Sequence, residues 1–182
     1  MSNKEDPHPK AYFDAARGYQ SAADRLLLSM ESGEKLLIRD PTYFLYAHAV
    51  ELALKACLLS RGFNPPRGGP AGHRIDGLYH ECRGHNLLGA NDANREINNL
   101  IYLLGTGNEY HQYRYPDKPA IPRAIPDLSW SREVVERLMA EVEPHVMAWV
   151  AANPATPAPT TSKFAYGKPT YTKQAKPTRR GP

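Results

Sequence analysis

The 182-residue sequence has few cysteines, no alternating strand-like segment and no long uncharged apolar run. Two cysteines, Cys57 and Cys82, are too few for a disulfide framework or a zinc-finger spacing, so we expect buried, reduced thiols. The longest apolar stretch, residues 43–59, is interrupted by one histidine and two charged residues. A membrane helix needs about 18 uncharged residues, and we therefore predict that no helix spans a membrane.

The sequence also lacks the usual signals of secretion and of cofactor binding. Its first segment, MSNKEDPHPK, is polar and has no apolar core followed by a cleavage site, so we expect a cytoplasmic protein. The glycine pair in the loop at 62–72 is followed by no Lys-Ser or Lys-Thr pair, which excludes a P-loop. The histidines and the cysteine of residues 73–85 are poorly spaced for a metal ion. We expect neither a metal nor an organic cofactor.

Positive charge is concentrated in the last part of the chain. The sequence has 23 Lys and Arg residues against 19 Asp and Glu residues, but residues 151–182 hold six of the bases and no acid, which leaves residues 1–150 at −2. The same segment has six prolines and few aliphatic residues, so it cannot bury enough surface to offset the entropy of ordering. We predict a folded domain at 1–150 and a disordered basic tail at 151–182. The tail's lysines and aromatic residues could contact RNA, or the tail could be a soluble linker.

Within the predicted domain, apolar residues recur at three- and four-residue steps, the period of helices. We predict an all-α fold, an up-and-down bundle of four to five helices. Their expected ranges are 10–32, 41–61, 74–83, one from 91 or 92 onward, and one that begins at Ser129 or Ser131.

Individual residues mark where these helices begin, end or weaken. Asp40 followed by Pro41 is a typical N-cap with proline at the first helical position, and Gly62 is a typical stop. Gly105 and Gly107 are expected to weaken the fourth helix, either because another backbone approaches or because a site distorts the helix there. Pro144 is expected to kink or divide the last helix.

Helix two is apolar on nearly every side, so we expect it at the centre of the bundle, where its polar residues need partners. Two polar rows follow from helical spacing. They are His48, Glu51 and Lys55 on helix two, and Asn108, His111 and Arg114 on helix four. Facing rows would form a polar seam able to bind a ligand or perform phosphodiester chemistry. The alternative is a solvent-facing stripe at the bundle edge with one internal Glu51–Lys55 pair.

Three segments in order, YFLYAHAVELALKACLLSRG, GHRIDGL and NEYHQYRYPD, resemble the HEPN superfamily of small helical domains. The resemblance covers roughly residues 12–150 and is most specific at 47–58 and 114–117. It implies a bundle of four to five helices that usually forms a homodimer. Many members are metal-independent ribonucleases or toxins, while others bind nucleotides or protein partners. Toxin-like members often pair with a nucleotidyltransferase-like antitoxin, which makes such a protein a candidate partner.

The chain departs from the motif that the nuclease members share, an arginine with a polar residue after it and a histidine or tyrosine four to six positions beyond. Gly107 stands at the arginine position and Gln112 or Tyr113 at the histidine position, while Asn108 fits the polar position. Arg67 with His73 and Arg74 with His80 have a similar spacing. These pairs lie in the predicted loop and the short helix, and we interpret them as chance matches. The departure argues against nuclease activity.

We arrive at three hypotheses. The leading one is an accessory domain that binds nucleotide, RNA or a protein partner through the polar seam. Its expected binding residues are His48, Glu51, Lys55, Tyr110 and Tyr115. The second is a ribonuclease toxin in which His111 is the acid or base and Arg114 stabilises the phosphate. Asn108 would orient one of these two side chains. The third is a purely structural dimerisation module.

Overall fold

The structure is a computed structural model that describes residues 8–31, 38–66, 72–89, 92–109 and 124–154, without the side chains of 92–94 and 106–109. Five helices lie in these ranges. They are α1 (Pro9–Glu31), α2 (Arg39–Ser60), α3 (Ile75–Gly84), α4 (Asp92–Glu109) and α5 (Leu128–Ala152). The described ranges contain no strand, and the predicted all-α bundle is confirmed. From residue 155 onward, the predicted tail lies outside the described residues.

Helix α2 lies at the centre of the bundle and contacts each of the other four helices. Every residue from Ala53 to Ser60 is buried. By length and composition alone, α2 could cross a membrane, but most of it is buried by the surrounding helices. A helix that is apolar on all sides needs such a cover, and the predicted central position of α2 is confirmed.

The ends of α2 match the sequence prediction on one side only. The helix begins at Arg39, and Ile38 at the N-cap position makes no side-chain capping bond, so the predicted cap at Asp40 is wrong. Pro41 is tolerated inside the first turn because an N–H there would have no partner within the helix. The stop is confirmed: Gly62 follows the last turn with φ +82°, a conformation that glycine adopts without steric cost.

Helices α1, α3 and α4 each present an apolar stripe to the core. The buried positions are Phe13, Ala16, Ala23 and Leu27 of α1, Ile75, Leu78, Tyr79 and Cys82 of α3, and Ile97, Leu100, Ile101 and Leu104 of α4. Truncating one such leucine to alanine costs about 2–5 kcal/mol. Cys57 and Cys82 are both buried free thiols, as expected.

Helix α5 begins with a carboxylate cap. The Asp127 side chain accepts a hydrogen bond from the backbone N–H of Trp130 at 2.9 Å. The predicted cap at Ser129 or Ser131 is therefore wrong. Ser131 has another role, since its hydroxyl donates to the Asp127 carbonyl oxygen one turn earlier.

The sequence predicts that Pro144 kinks or divides the last helix, and α5 continues through it, so the helix is not divided. Buried Val142 and Val146 lie on either side of the proline. Their packing against the core stabilises both halves of α5, which offsets the backbone hydrogen bond that proline removes.

Gly105 lies inside α4, which continues to Glu109. A Cβ atom added at Gly105 would lie 3.5 Å from Cγ1 of Ile75, at ordinary van der Waals distance. Among the described residues, the nearest neighbour is therefore a side chain, and no backbone approaches closely enough to require glycine. The contact places the last part of α4 against the first residue of α3.

Candidate functional site

The candidate site is built around Glu51, in the middle of the central helix. Glu51 is 1% exposed and Lys55, one turn later, is 7% exposed. The Lys55 Nζ atom donates a hydrogen bond to Glu51 Oε1 at 2.7 Å. Two buried charges need each other, because an unpaired one would cost several kcal/mol. Glu51 and Lys55 thus form the internal ion pair that the alternative interpretation predicts.

A second partner of Glu51 comes from the loop before α3. Nδ1 of His73 lies 3.1 Å from Glu51 Oε1, and the His73 side chain is 43% exposed. Fully buried Ile75 anchors the chain two residues later. His73 therefore joins the buried carboxylate to the surface of the bundle.

The third neighbour of Glu51 is His48, one turn earlier on α2. Its Nδ1 lies 3.7 Å from Glu51 Oε2, a charge contact longer than a hydrogen bond. The ring lies against Tyr19 of α1, edge to face at a centroid distance of 4.4 Å. Its Nδ1 is buried and has no hydrogen-bond partner in the described part of the chain. We call Glu51, Lys55, His73 and His48 the Glu51 cluster.

The electrostatics of the Glu51 cluster keep the carboxylate ionised. Burial on its own would raise the pKa of Glu51, but the neighbouring His48 and Lys55 outweigh it and lower that pKa to about 2. An ionised carboxylate can only accept hydrogen bonds, so Nδ1 of His73 carries the proton that points at Glu51. The other ring nitrogen, Nε2, is then the one that can accept a proton or a hydrogen bond.

The α4 half of the predicted seam lies almost wholly outside the described residues. Asn108 is in the last turn of α4, but its side chain is not among those described. Tyr110, His111, Arg114 and Tyr115 lie beyond the end of α4 and outside the described residues as well. What the structure does describe is that α4 packs on α2 and that its last turns reach the start of α3, close in sequence to His73.

The remaining histidines of residues 73–85 do not converge with Cys82. The Cys82 thiol points at the Leu54 carbonyl oxygen, 3.6 Å away in the core. The His85 ring stacks on Phe63 with a centroid distance of 3.7 Å. Among the described residues, no three histidine, cysteine or carboxylate side chains are arranged to hold a metal ion.

A groove of about 530 Å³ lies between α1 and α5, and charged residues of the two helices pair with one another there. Arg17 of α1 binds Glu136 of α5 at 2.8 Å. Beneath the groove, fully buried Tyr46 donates its hydroxyl proton to Asp24 at 2.7 Å, and burial together with Asp24 raises the pKa of Tyr46. Arg132 of α5 lies 3.7 Å from the same carboxylate. The charged residues of this groove thus have partners within the bundle.

His73 is the member of the Glu51 cluster that the sequence interpretation missed. The signal was present in the polar residues of α2, because polar side chains expected in a core need partners, which another segment can supply. What hid His73 is its position in a loop, where no helical period shows which side chains turn inward.

Comparison with known proteins gives one match. The model of the family described as "HEPN domain" matches residues 20–152, which include all of α2, α3, α4 and α5. No curated protein matches the chain. No solved structure matches it.

Proposed function

The chain belongs to the HEPN domain family, and we propose that it is a non-catalytic member that binds RNA or nucleotide through the Glu51 cluster and the polar residues that follow α4. The observation that carries the proposal is the hydrogen bond between buried Glu51 and partly exposed His73. It fixes an imidazole at the bundle surface with a defined tautomer, in the way that a second-layer carboxylate orients a functional histidine.

The charge balance of the cluster suits a phosphate ligand. Glu51 and Lys55 neutralise each other, so either histidine, once protonated, adds a net positive charge. An approaching phosphate favours that protonated form, since a charge-assisted hydrogen bond is about twice as strong as a neutral one. Arg114 and His111 follow α4 in the sequence, and we propose that they and the aromatic residues Tyr110 and Tyr115 complete the binding surface.

The non-catalytic assignment rests on the residues at the end of α4. Gly107 stands where the nuclease members of the family have arginine, so the group that would stabilise a pentacoordinate phosphate is missing from that position. Asn108 retains a polar side chain, which can hold a ligand without activating it.

A ribonuclease is the second candidate, favoured by the same Glu51–His73 hydrogen bond. A carboxylate that orients an imidazole is also the arrangement of a general acid–base pair. Under this alternative, His111 or His73 would exchange protons with the ribose 2′-hydroxyl and the leaving oxygen, and Arg114 would stabilise the phosphate. No metal would be required.

One assay separates the two candidates. The full chain is incubated with fluorescein-labelled single-stranded RNA in EDTA, anisotropy is recorded, and the same sample is run on a denaturing gel. Our proposal predicts a salt-sensitive rise in anisotropy with intact RNA. Cleavage in EDTA that disappears in His111→Ala would support the ribonuclease and contradict the non-catalytic assignment. Absence of binding would contradict both.

We further propose that the chain acts as a homodimer and that a nucleotidyltransferase-like protein is a candidate partner, in keeping with its family. Size-exclusion chromatography with light scattering measures the first directly. A mass of about 20 kDa at all concentrations, the mass of one chain, would contradict dimerisation.

A further inference from the structure

A second groove lies between α3 and α4, outside the Glu51 cluster. It encloses about 310 Å³, close to the lower limit of small-molecule pockets and suited to one flat ring system. Its lining residues are Asp76, Tyr79 and His80 of α3, and Asn98, Asn99, Ile101 and Tyr102 of α4. Asp76 follows His73 by three residues, so the groove and the cluster are neighbours in the chain.

The groove combines an apolar floor with an aromatic rim. Tyr79 is fully buried and Ile101 is 2% exposed, so both form a rigid floor. Tyr102, one turn before Gly105, is 74% exposed and is the most exposed large apolar residue of the described part. An exposed aromatic ring above a packed floor is a surface on which a nucleobase can stack.

Two neighbouring amides supply the hydrogen-bonding groups. Asn98 is half-buried and Asn99 is exposed, and in the described part of the chain neither amide has a hydrogen-bond partner. Each amide offers a donor and an acceptor side by side. This pair matches the N6 and N7 atoms of adenine, which asparagine contacts with two hydrogen bonds.

One ion pair and one further basic residue lie around the groove. The Arg74 guanidinium donates to Asp76 at 2.8 Å, and this hydrogen bond lowers the pKa of that carboxyl group. Asp76 is thus ionised and paired with Arg74. Exposed Arg95 lies one turn before Asn99 on the same face of α4, within reach of a phosphate.

We propose that the groove between α3 and α4 binds an adenine base, stacked on Tyr102 and hydrogen-bonded by Asn98 or Asn99. The same chemistry would accept a free adenine nucleotide or an unpaired adenosine of single-stranded RNA. The assignment uses none of the residues of the Glu51 cluster, so it stands or fails separately from the function proposed above.

The test is a titration of the full chain with adenosine 5′-monophosphate, followed by isothermal calorimetry. Tyr102→Ala removes the ring, and we expect binding at least about fivefold weaker. Tyr102→Phe keeps the ring and should keep the affinity, while Met147→Ala removes another exposed large side chain, from α5, and should change nothing. Unchanged affinity in Tyr102→Ala would overturn the proposal, as would a failure of the wild-type chain to bind.

Selectivity and ligand source are measured with three further probes. Guanosine 5′-monophosphate should bind at least about fivefold more weakly than the adenine nucleotide, and the double variant Asn98→Ala with Asn99→Ala should lose that preference. Equal affinity for both nucleotides in the wild-type chain would contradict the amide contacts.

An oligoadenylate that binds more tightly than the mononucleotide, while oligouridylate does not, identifies RNA as the source. Tighter binding of the mononucleotide identifies the free nucleotide. Tyr102→Ala is measured with the mononucleotide and His73→Ala with single-stranded RNA, so failure of the groove is distinguishable from failure of the Glu51 cluster.

Discussion

Nδ1 of His73 lies 3.1 Å from Oε1 of Glu51, and this contact joins a loop at the bundle surface to the buried centre of α2. Lys55 donates to the same oxygen at 2.7 Å. One carboxylate oxygen therefore holds both an ammonium group from its own helix and an imidazole from another segment. Changes at Glu51 should affect stability and ligand binding together, whereas changes at His73 should act mainly on binding.

Removing the charge of Glu51 should be costly only while Lys55 is charged. Glu51→Gln leaves a buried ammonium group without its carboxylate, and we expect a loss of about 3–5 kcal/mol in the free energy of unfolding. In the Lys55→Met background, the same change should cost much less, because no buried charge is left unpaired. Urea denaturation of the two single variants and the double variant measures this coupling. Equal cost in both backgrounds would show that the pair contributes no coupling.

The low pKa of Glu51 predicts a loss of stability in acid. In the unfolded chain, this carboxyl group has a pKa of about 4.5, and in the folded chain about 2. The stabilisation is thus fully present above pH 4.5 and is lost as the pH falls through about 2, with a magnitude on the order of 3 kcal/mol. The free energy of unfolding should fall less steeply over this range in the Lys55→Met, Glu51→Gln double variant than in the wild type.

Glu136→Gln is the matched control for the acid range. Arg17 also lowers the pKa of Glu136 against a raising contribution from burial, but this carboxyl group is exposed and its ion pair is screened by solvent. Glu136→Gln should therefore change little how steeply the free energy of unfolding falls with pH in the acid range. Glu136→Gln is compared with the Lys55→Met, Glu51→Gln double variant: an equally flattened dependence of the free energy of unfolding on pH in both would contradict a special role of Glu51.

The cap of α5 offers a test of fold-level detail. Asp127→Ala removes the acceptor of the Trp130 N–H, and we expect a loss of about 1 kcal/mol in the free energy of unfolding. Ser129 is exposed and makes no capping bond in the described structure. Ser129→Ala should therefore lower the free energy of unfolding by no more than a few tenths of the loss expected for Asp127→Ala. Thermal melts of the two variants compare them directly. The reverse order would place the cap at Ser129.

Gly105 should be replaceable by alanine with a gain in stability. The added Cβ meets Ile75 at ordinary contact distance, and alanine favours the helical state over glycine by about 1 kcal/mol. Gly18→Ala is the control for propensity alone, because a Cβ added at this exposed position of α1 would meet no described atom of another element within 4 Å. A gain at Gly18 with a loss at Gly105 would show that the contact with Ile75 is too tight for a methyl group.

The sequence predicts the central helix well, because a segment that is apolar on all sides has only the core of a bundle to occupy. It also predicts that His48, Glu51 and Lys55 share one face of that helix, since helical spacing settles it. Two of the three are then found buried in an internal ion pair. The partner His73 could not be predicted in the same way, because a loop has no period that shows which side chains point inward.

Helix ends were harder to predict than helix existence, for a local reason. Several residues near each end can cap, and the choice depends on backbone geometry that spacing does not reveal. At α5, Asp127, Ser129 and Ser131 are all residue types that can cap a helix, and the Asp127 carboxylate is the one that does. The polar row of Asn108, His111 and Arg114 stays a prediction.

The most direct test of the central claim compares RNA binding of the wild type with that of His73→Ala. His73 is partly exposed, so the variant should fold, and circular dichroism checks that it does. His145→Ala, a histidine of α5 outside the Glu51 cluster, is the matched control. Our account predicts that His73→Ala binds single-stranded RNA about tenfold more weakly, the effect of losing one hydrogen bond to a charged group, while His145→Ala binds like the wild type. Unchanged affinity in a folded His73→Ala variant would contradict it.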